Sequence, residues 1–179
     1  MGEGALLIAF ITLQRLAELI VAARHTARLR AEGAVEFGHA HYPLMVGFHA
    51  AWICGLLWFG AGRTVEPHFL GLFLVLLALR IWVIASLGRH WTTRIIVLPG
   101  AKLVRRGPYR WLRHPNYLVV ALEIAVVPLA LGLPLFAAIF SLLHIPLLLH
   151  RTAVESAALS WATANNQACE AAAAPVAGG

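Results

Sequence analysis

The run GPYRWLRHPNY at residues 107–117 sets two arginines, a histidine, two tyrosines, a tryptophan and two prolines side by side. Arginines such as Arg110 and Arg113 hold a carboxylate or phosphate through paired N–H donors. Aromatic faces such as Tyr109, Trp111 and Tyr117 stack on a base or attract a cation. The prolines fix φ and keep the residues before them, Gly107 and His114, out of helical geometry. The segment therefore reads as a turn, a short helical stretch over 109–113, and a second turn that feeds the next helix.

Residues 88–116 carry seven Lys or Arg, and no Asp or Glu occurs between Glu66 and Glu123. A simple anchor for acidic lipid headgroups accounts for such charge, at about 1 kcal/mol per cation near the surface. It does not account for paired prolines and interleaved aromatics, which favour a built binding site. A ligand that needs cations and aromatic faces together is S-adenosylmethionine, with its carboxylate, adenine and sulfonium. A phosphate ligand also suits the arginines, although no glycine-rich phosphate loop is present. The residues alone leave a choice among a few cofactors.

The elements that must position this run are membrane helices. The chain has 179 residues, room for one domain, of which 60% are hydrophobic and only 12% charged. Its mean hydropathy is +0.77, whereas soluble domains carry about 25% charged residues. A spanning helix needs about 20 mostly apolar residues. Residues 4–23, 43–61, 69–87, 117–133 and 134–150 qualify, the last two as a helical hairpin around Gly132–Pro134. The fold class expected is thus an all-α integral membrane protein with about five transmembrane helices and a loop region that binds the cofactor. Residues 1–161 form its single domain. Residues 162–179, rich in alanine and nearly uncharged, read as a disordered tail.

Eleven of the fourteen Lys and Arg fall on one side of these spans: Arg24, Arg28, Arg30, the seven of the long loop and Arg151. By the positive-inside rule that side is cytoplasmic and the N-terminus lies outside, as in a bacterial inner membrane. The formal charge of +6 does not indicate nucleic acid, because the cations lie between apolar runs rather than on a basic face. Cys54 and Cys169 have no CxxC spacing and make no disulfide framework. His25, His39, His41 and His49 lack a compact metal-binding spacing, so no metal is expected. Arg15, Glu18, Arg80, Glu123 and His144 each fall roughly 8–12 Å inside one end of their spans, which suggests Arg15–Glu18 and Arg80–Glu123 partner sets beneath the loop.

The segment GRHWTTRIIVLPGAKLVRRGPYRWLRHPNYLVVALEIAVVPLALG, with RTAVESAAL after the last span, resembles the isoprenylcysteine carboxyl methyltransferase family of integral-membrane methyltransferases. It looks closest to a short bacterial branch that methylates alkylpyrones and alkylresorcinol-type quinols. RLRAEGAVEFGHAHYPLMVGFHAAW is also similar to that branch. The resemblance covers most of the chain apart from the tail. It implies an enzyme that uses S-adenosylmethionine, with Gly107, Pro108, Tyr109, Arg113, His114, Pro115 and Tyr117 forming much of the cofactor pocket. Glu155 matches the acidic end of the family's second motif, and as i,i+4 neighbours Arg151 and Glu155 share a helix face. Two positions depart from the family pattern: Val119 stands where a glycine is common, and Ser156 where a second acid is common.

His90 and His114 are candidates to hydrogen-bond the cofactor or to serve as a base for a phenolic or enolic hydroxyl; a carboxylate acceptor needs none. The catalytic candidates are His114, Arg151 and Glu155. The expected partners are membrane lipids and a lipophilic or prenylated acceptor: a prenylcysteine carboxylate, an alkylpyrone or quinol hydroxyl or, less well matched, a phospholipid amine. A non-enzymatic scaffold or transporter subunit with a lipid-binding basic loop is the alternative.

Overall fold

The structure, a computed structural model, describes the backbone of residues 2–100 and 104–173 and the side chains of those up to residue 164. Five helices carry the fold: α1 (Glu3–Ala31), α2 (Tyr42–Gly60), α3 (Pro67–Leu87), α4 (Pro115–Ala130) and α5 (Pro134–Ala173). Proline stands in the first turn of α2, α3 and α4, where its missing N–H has no intrahelical partner to lose. Four of the five are long and apolar enough to cross a membrane, whereas α4 is a shorter apolar helix.

Antiparallel connections put the C-termini of α1 and α3, the N-termini of α2 and α4 and the middle of α5 at one end of the bundle. The opposite end is closed by backbone pairing. Gly4 N donates to Arg63 O at 3.0 Å and Glu66 N to Ala130 O at 2.8 Å. A Cβ at Gly4 would run into the carbonyls of Gly60 and Arg63, so only glycine allows this approach of α1 to the α2–α3 turn. Leu131–Gly132 makes the tight turn between α4 and α5, with Gly132 at φ +64°. Between these ends Ile8, Ile11, Trp52, Leu56, Phe73, Ile124 and Val127 form one apolar core.

Beneath the polar end, the ionisable residues of the spans form one network rather than two pairs. Arg80 grips Glu18 through Nε and Nη2, the latter at 2.6 Å, and reaches Glu123 Oε2 with Nη1 at 3.0 Å. Arg15 bridges the same two acids, at 3.1 Å from Glu18 and 2.5 Å from Glu123. Around them Gln14 Oε1, Arg15 Nε, Trp52 Nε1, Glu123 Oε1 and His144 Nε2 are buried without a hydrogen-bond partner among the described residues.

Three features differ from the sequence expectation. The long loop is partly β: Val35–Phe37 (β1) pairs antiparallel with Ile95–Val97 (β2), with Val35 opposite Val97 and Phe37 opposite Ile95. The run Ile95-Ile96-Val97 supplies the β-branched residues that favour this. The short helical stretch expected over 109–113 is instead a 3-10 turn over Gly107–Arg110. Finally, α5 runs beyond the expected span of 134–150 and into the expected tail, staying helical to Ala173, consistent with alanine's high helix propensity. Residues 174–179 of the expected tail lie outside the described residues.

Candidate active site

At the polar end the helix termini, β2 and the 3-10 turn enclose an open cleft of about 1150 Å³. Its walls come from Leu29 of α1, Leu87 at the end of α3 and His90 after it, Trp91, Thr92 and Arg94 with β2 and Leu98, Val104 and Arg105, Tyr109, Arg110 and Arg113, the first turn of α4, and one face of α5 from Arg151 to Ala164. Of the residues singled out in sequence, His90, Tyr109, Arg113, His114, Tyr117, Arg151 and Glu155 all line it. Gly107, Pro108 and Pro115 do not; they shape the backbone around it. Gly107 has φ +56°, and a Cβ there would strike Ser86 Oγ of α3. Pro108 is buried as the second residue of the 3-10 turn, and Pro115 as the first of α4.

The centre of the cleft floor is Tyr117. Its hydroxyl donates to Glu155 Oε2 and accepts from Arg151 Nε at 2.9 Å. The hydroxyl thus joins α4 to both members of the i,i+4 pair on α5. Arg151 also lies over the Tyr117 ring, 5.5 Å from its centroid, and its Nη2 donates to the Thr93 carbonyl. His114 stacks on Tyr117 at 5.6 Å. Its Nε2 is 3.2 Å from Ser156 Oγ, so Ser156, where the second acid is absent, is the partner of a cleft histidine. His114 Nδ1 lies 3.6 Å from Glu155 Oε1, beyond hydrogen-bond length.

Cleft electrostatics are strongly positive. Arg105, Arg110 and Arg113 line it with no hydrogen-bond or ion-pair partner among the described residues. Burial, with the Glu155 charge adding to it, pushes the Tyr109 phenol well above its ordinary range, so Tyr109 presents a neutral O–H. Asn116 Oδ1 is buried with no hydrogen-bond partner among the described residues. This Asn, inside the quoted motif, was legible as a candidate and overlooked. Thr92, Arg94, Ser160 and Thr163 also line the cleft, and no spacing in the sequence marked them. Thr163 and Ala164 lie beyond the expected domain boundary at residue 161.

The β ribbon holds the outer wall. Glu36 of β1 pairs with Arg94, at 2.7 Å, and with Arg30 of α1. Arg94 lies 4.2 Å over the Tyr42 ring, and the Tyr42 hydroxyl is 3.2 Å from Thr93 Oγ1. The histidines near β1 serve separate places: His25 Nδ1 is 2.8 Å from Trp91 O, His49 Nδ1 is 2.9 Å from Met45 O, and His41 packs on His150.

Fold and cleft together define a helical membrane protein with a polar, cation-rich site at one end of its bundle. Residues 69–161 match the sequence profile of the isoprenylcysteine carboxyl methyltransferase (ICMT) family, and the chain belongs to that family of membrane methyltransferases. The matched span takes in all but the first two residues of α3, the cleft loop, α4, and α5 as far as Trp161, short of the cleft-lining Thr163 and Ala164. The chain is similar to the uncharacterised protein YpbQ of Bacillus subtilis, 38% identical over 159 residues, which covers 86% of this chain and 95% of that one. An uncharacterised protein of Haemophilus influenzae is 26% identical over 127 residues, covering 68% of this chain and 71% of that one. No solved structure matches the chain.

Proposed function

We propose that the protein is an S-adenosylmethionine-dependent O-methyltransferase whose lipophilic acceptor comes from the bilayer. The observation that carries this reading is the convergence of Tyr117, Arg151 and Glu155 on the floor of a cleft with three arginines that have no partner among the described residues. The residues suit the cofactor. Unpaired guanidinium groups match a carboxylate, neutral aromatic faces match adenine and a sulfonium, and Glu155 and Asn116 Oδ1 accept hydrogen bonds from amino or hydroxyl groups. At about 1150 Å³ the cleft is somewhat larger than the roughly 300 to 1,000 Å³ of small-molecule sites, so it has room for a ligand of that size.

When bound, the cofactor supplies an electrophilic methyl group on its sulfonium sulfur. The chain's own work is then orientation and exclusion of water. The Tyr117 hydroxyl locks Arg151 and Glu155 in one arrangement, so neither has to be ordered on binding. His114, whose buried Nδ1 lies beside Glu155 with no hydrogen bond among the described residues, is the residue we assign to take a proton from a phenolic or enolic acceptor once a side-chain shift opens that nitrogen to the cleft. For a carboxylate acceptor the same histidine only binds. The apolar residues Ile95, Ile96, Val97 and Leu98 line the cleft beside these polar groups, and suit an alkyl or prenyl chain. The excess of cations at the cleft end supports a cytoplasmic site and C-terminus, with the N-terminus outside.

Calorimetric titration of the detergent-purified protein with S-adenosylhomocysteine tests this reading. Saturable binding, weakened by His114→Ala and Glu155→Gln in variants that remain folded, supports it. A folded wild type that fails to bind, with lipid added, refutes it.

A further inference from the structure

The cleft is separated from the lipid-facing side of α3 by a single turn of chain, and that turn does not rise away from the bundle. Gly107 packs on Ser86, and the position of its missing Cβ is 3.3 Å from Trp82 Nε1. The Trp111 ring meets Trp82 edge-on at 6.2 Å. Trp82 lies five residues before the end of α3, about 7.5 Å down the helix. The segment after Gly107 therefore doubles back beside the last turns of a spanning helix.

What it exposes there is apolar. Trp111 is 70% exposed and Leu112 46%, next to Trp82 at 45% on α3. Leu79, one turn earlier on the same face of α3, is exposed as well. Tyr109, two residues earlier in the turn, faces the cleft instead. Arg110 and Arg113, which flank Trp111 and Leu112, border the cleft but are also exposed, with no anionic partner among the described residues. An exposed tryptophan and leucine bracketed by cations, continuous with a lipid-facing helix surface, match the headgroup boundary, where indole rings and arginines concentrate.

We propose that Trp111 and Leu112 form a wedge that seats this wall of the cleft in the anionic phospholipid headgroup layer of the membrane the helices span. The wedge makes the bilayer a structural part of the site: the lipid holds Trp111 from outside while Tyr109 and Arg113 face the ligand from inside. Its effect on ligand affinity rests on the cofactor reading above; its depth in the membrane does not.

The test is a nitroxide attached at Leu112→Cys, in a Cys54→Ala, Cys169→Ala background, in nanodiscs of phosphatidylcholine with or without phosphatidylglycerol. Power saturation compares collisions with oxygen and with a water-soluble nickel chelate; labels at Arg89→Cys and Leu79→Cys give the water and lipid references. The expected oxygen-to-nickel ratio at 112 is about threefold or more above that at 89, and rises with phosphatidylglycerol. A ratio equal to that at 89 overturns the wedge, and one indifferent to phosphatidylglycerol overturns its anionic partner. In the same discs Trp111→Ser/Leu112→Ser should weaken S-adenosylhomocysteine binding about fivefold; unchanged affinity overturns the coupling to the cleft. A lipid-like ratio at 112 in a wild type that binds no S-adenosylhomocysteine upholds the wedge and refutes the cofactor reading instead.

Discussion

Arg80 on α3 and Glu123 on α4 meet at 3.0 Å inside the bundle, where Glu123 has no exposure at all. The carboxylate oxygen that Arg80 uses also takes Arg15, and both arginines reach Glu18. Four charges from three helices thus close a neutral ring. It lies six residues along α4 from Tyr117, about 9 Å below the cleft floor. Intramembrane charges survive only when paired in this way, so the ring fixes how α1, α3 and α4 sit beneath the site.

Glu123→Gln should lower stability by about 3 kcal/mol, because it leaves the buried Arg80 and the half-buried Arg15 sharing Glu18 as their one acid among the described residues. Thermal unfolding in detergent reads this directly. Exchanging the charges, Arg80→Glu with Glu123→Arg, should not restore the loss: it sets a cation against Arg15 and an acid against Glu18. Full recovery in the exchanged protein would mean that Arg80 and Glu123 act as an isolated pair.

Tyr117→Phe removes one hydroxyl that serves two partners, Arg151 and Glu155. The ring and its stacking on His114 remain, so the fold should hold. We expect S-adenosylhomocysteine affinity to fall by about tenfold, equivalent to the roughly 1.5 kcal/mol of one charge-assisted hydrogen bond. Titration calorimetry with a matched unfolding curve separates lost binding from lost folding, and wild-type affinity would remove Tyr117 from the organising role.

The β ribbon should respond to acid. Burial raises the Glu36 carboxyl, but hydrogen bonds and charge from Arg94 and Arg30 outweigh it and hold the group below its ordinary value of 4.5. A carboxyl depressed in the folded state stabilises the fold above its unfolded pKa, and that contribution disappears as pH falls through the folded value. The unfolding midpoint of wild type should therefore exceed that of Glu36→Gln at pH 7, by the equivalent of about 0.5–1 kcal/mol. The gap should close as the pH drops below about 4.5. A gap that persists at low pH would assign it to packing rather than charge.

Much of the site was legible because one contiguous run, 107–117, supplies the wall and Tyr117, and one helical pair supplies the opposite side. Arg94 and Thr93 were not legible, since they join the cleft only through the register of a two-stranded ribbon that pairs residues about 60 positions apart. The membrane charges showed the same limit: depth along each helix was readable, but rotation about each axis was not. Sequence therefore suggested two pairs where helix packing makes a ring. Likewise Ser156 looked like the loss of an acid until its hydroxyl was found on His114.

Gly107 gives the sharpest test of how the loop is held. Alanine there meets two separate penalties. Its φ of +56° disfavours any side chain by about 1–2 kcal/mol, and its Cβ collides with the Ser86 side chain. Ser86→Gly relieves the collision but not the backbone strain, at an expense of up to about 1 kcal/mol in α3. Gly107→Ala should therefore abolish measurable S-adenosylhomocysteine binding while the bundle still melts cooperatively, and Gly107→Ala/Ser86→Gly should recover binding only in part. Complete recovery would assign the whole requirement to the collision. No recovery at all would assign it to the backbone conformation that turns the chain down beside α3.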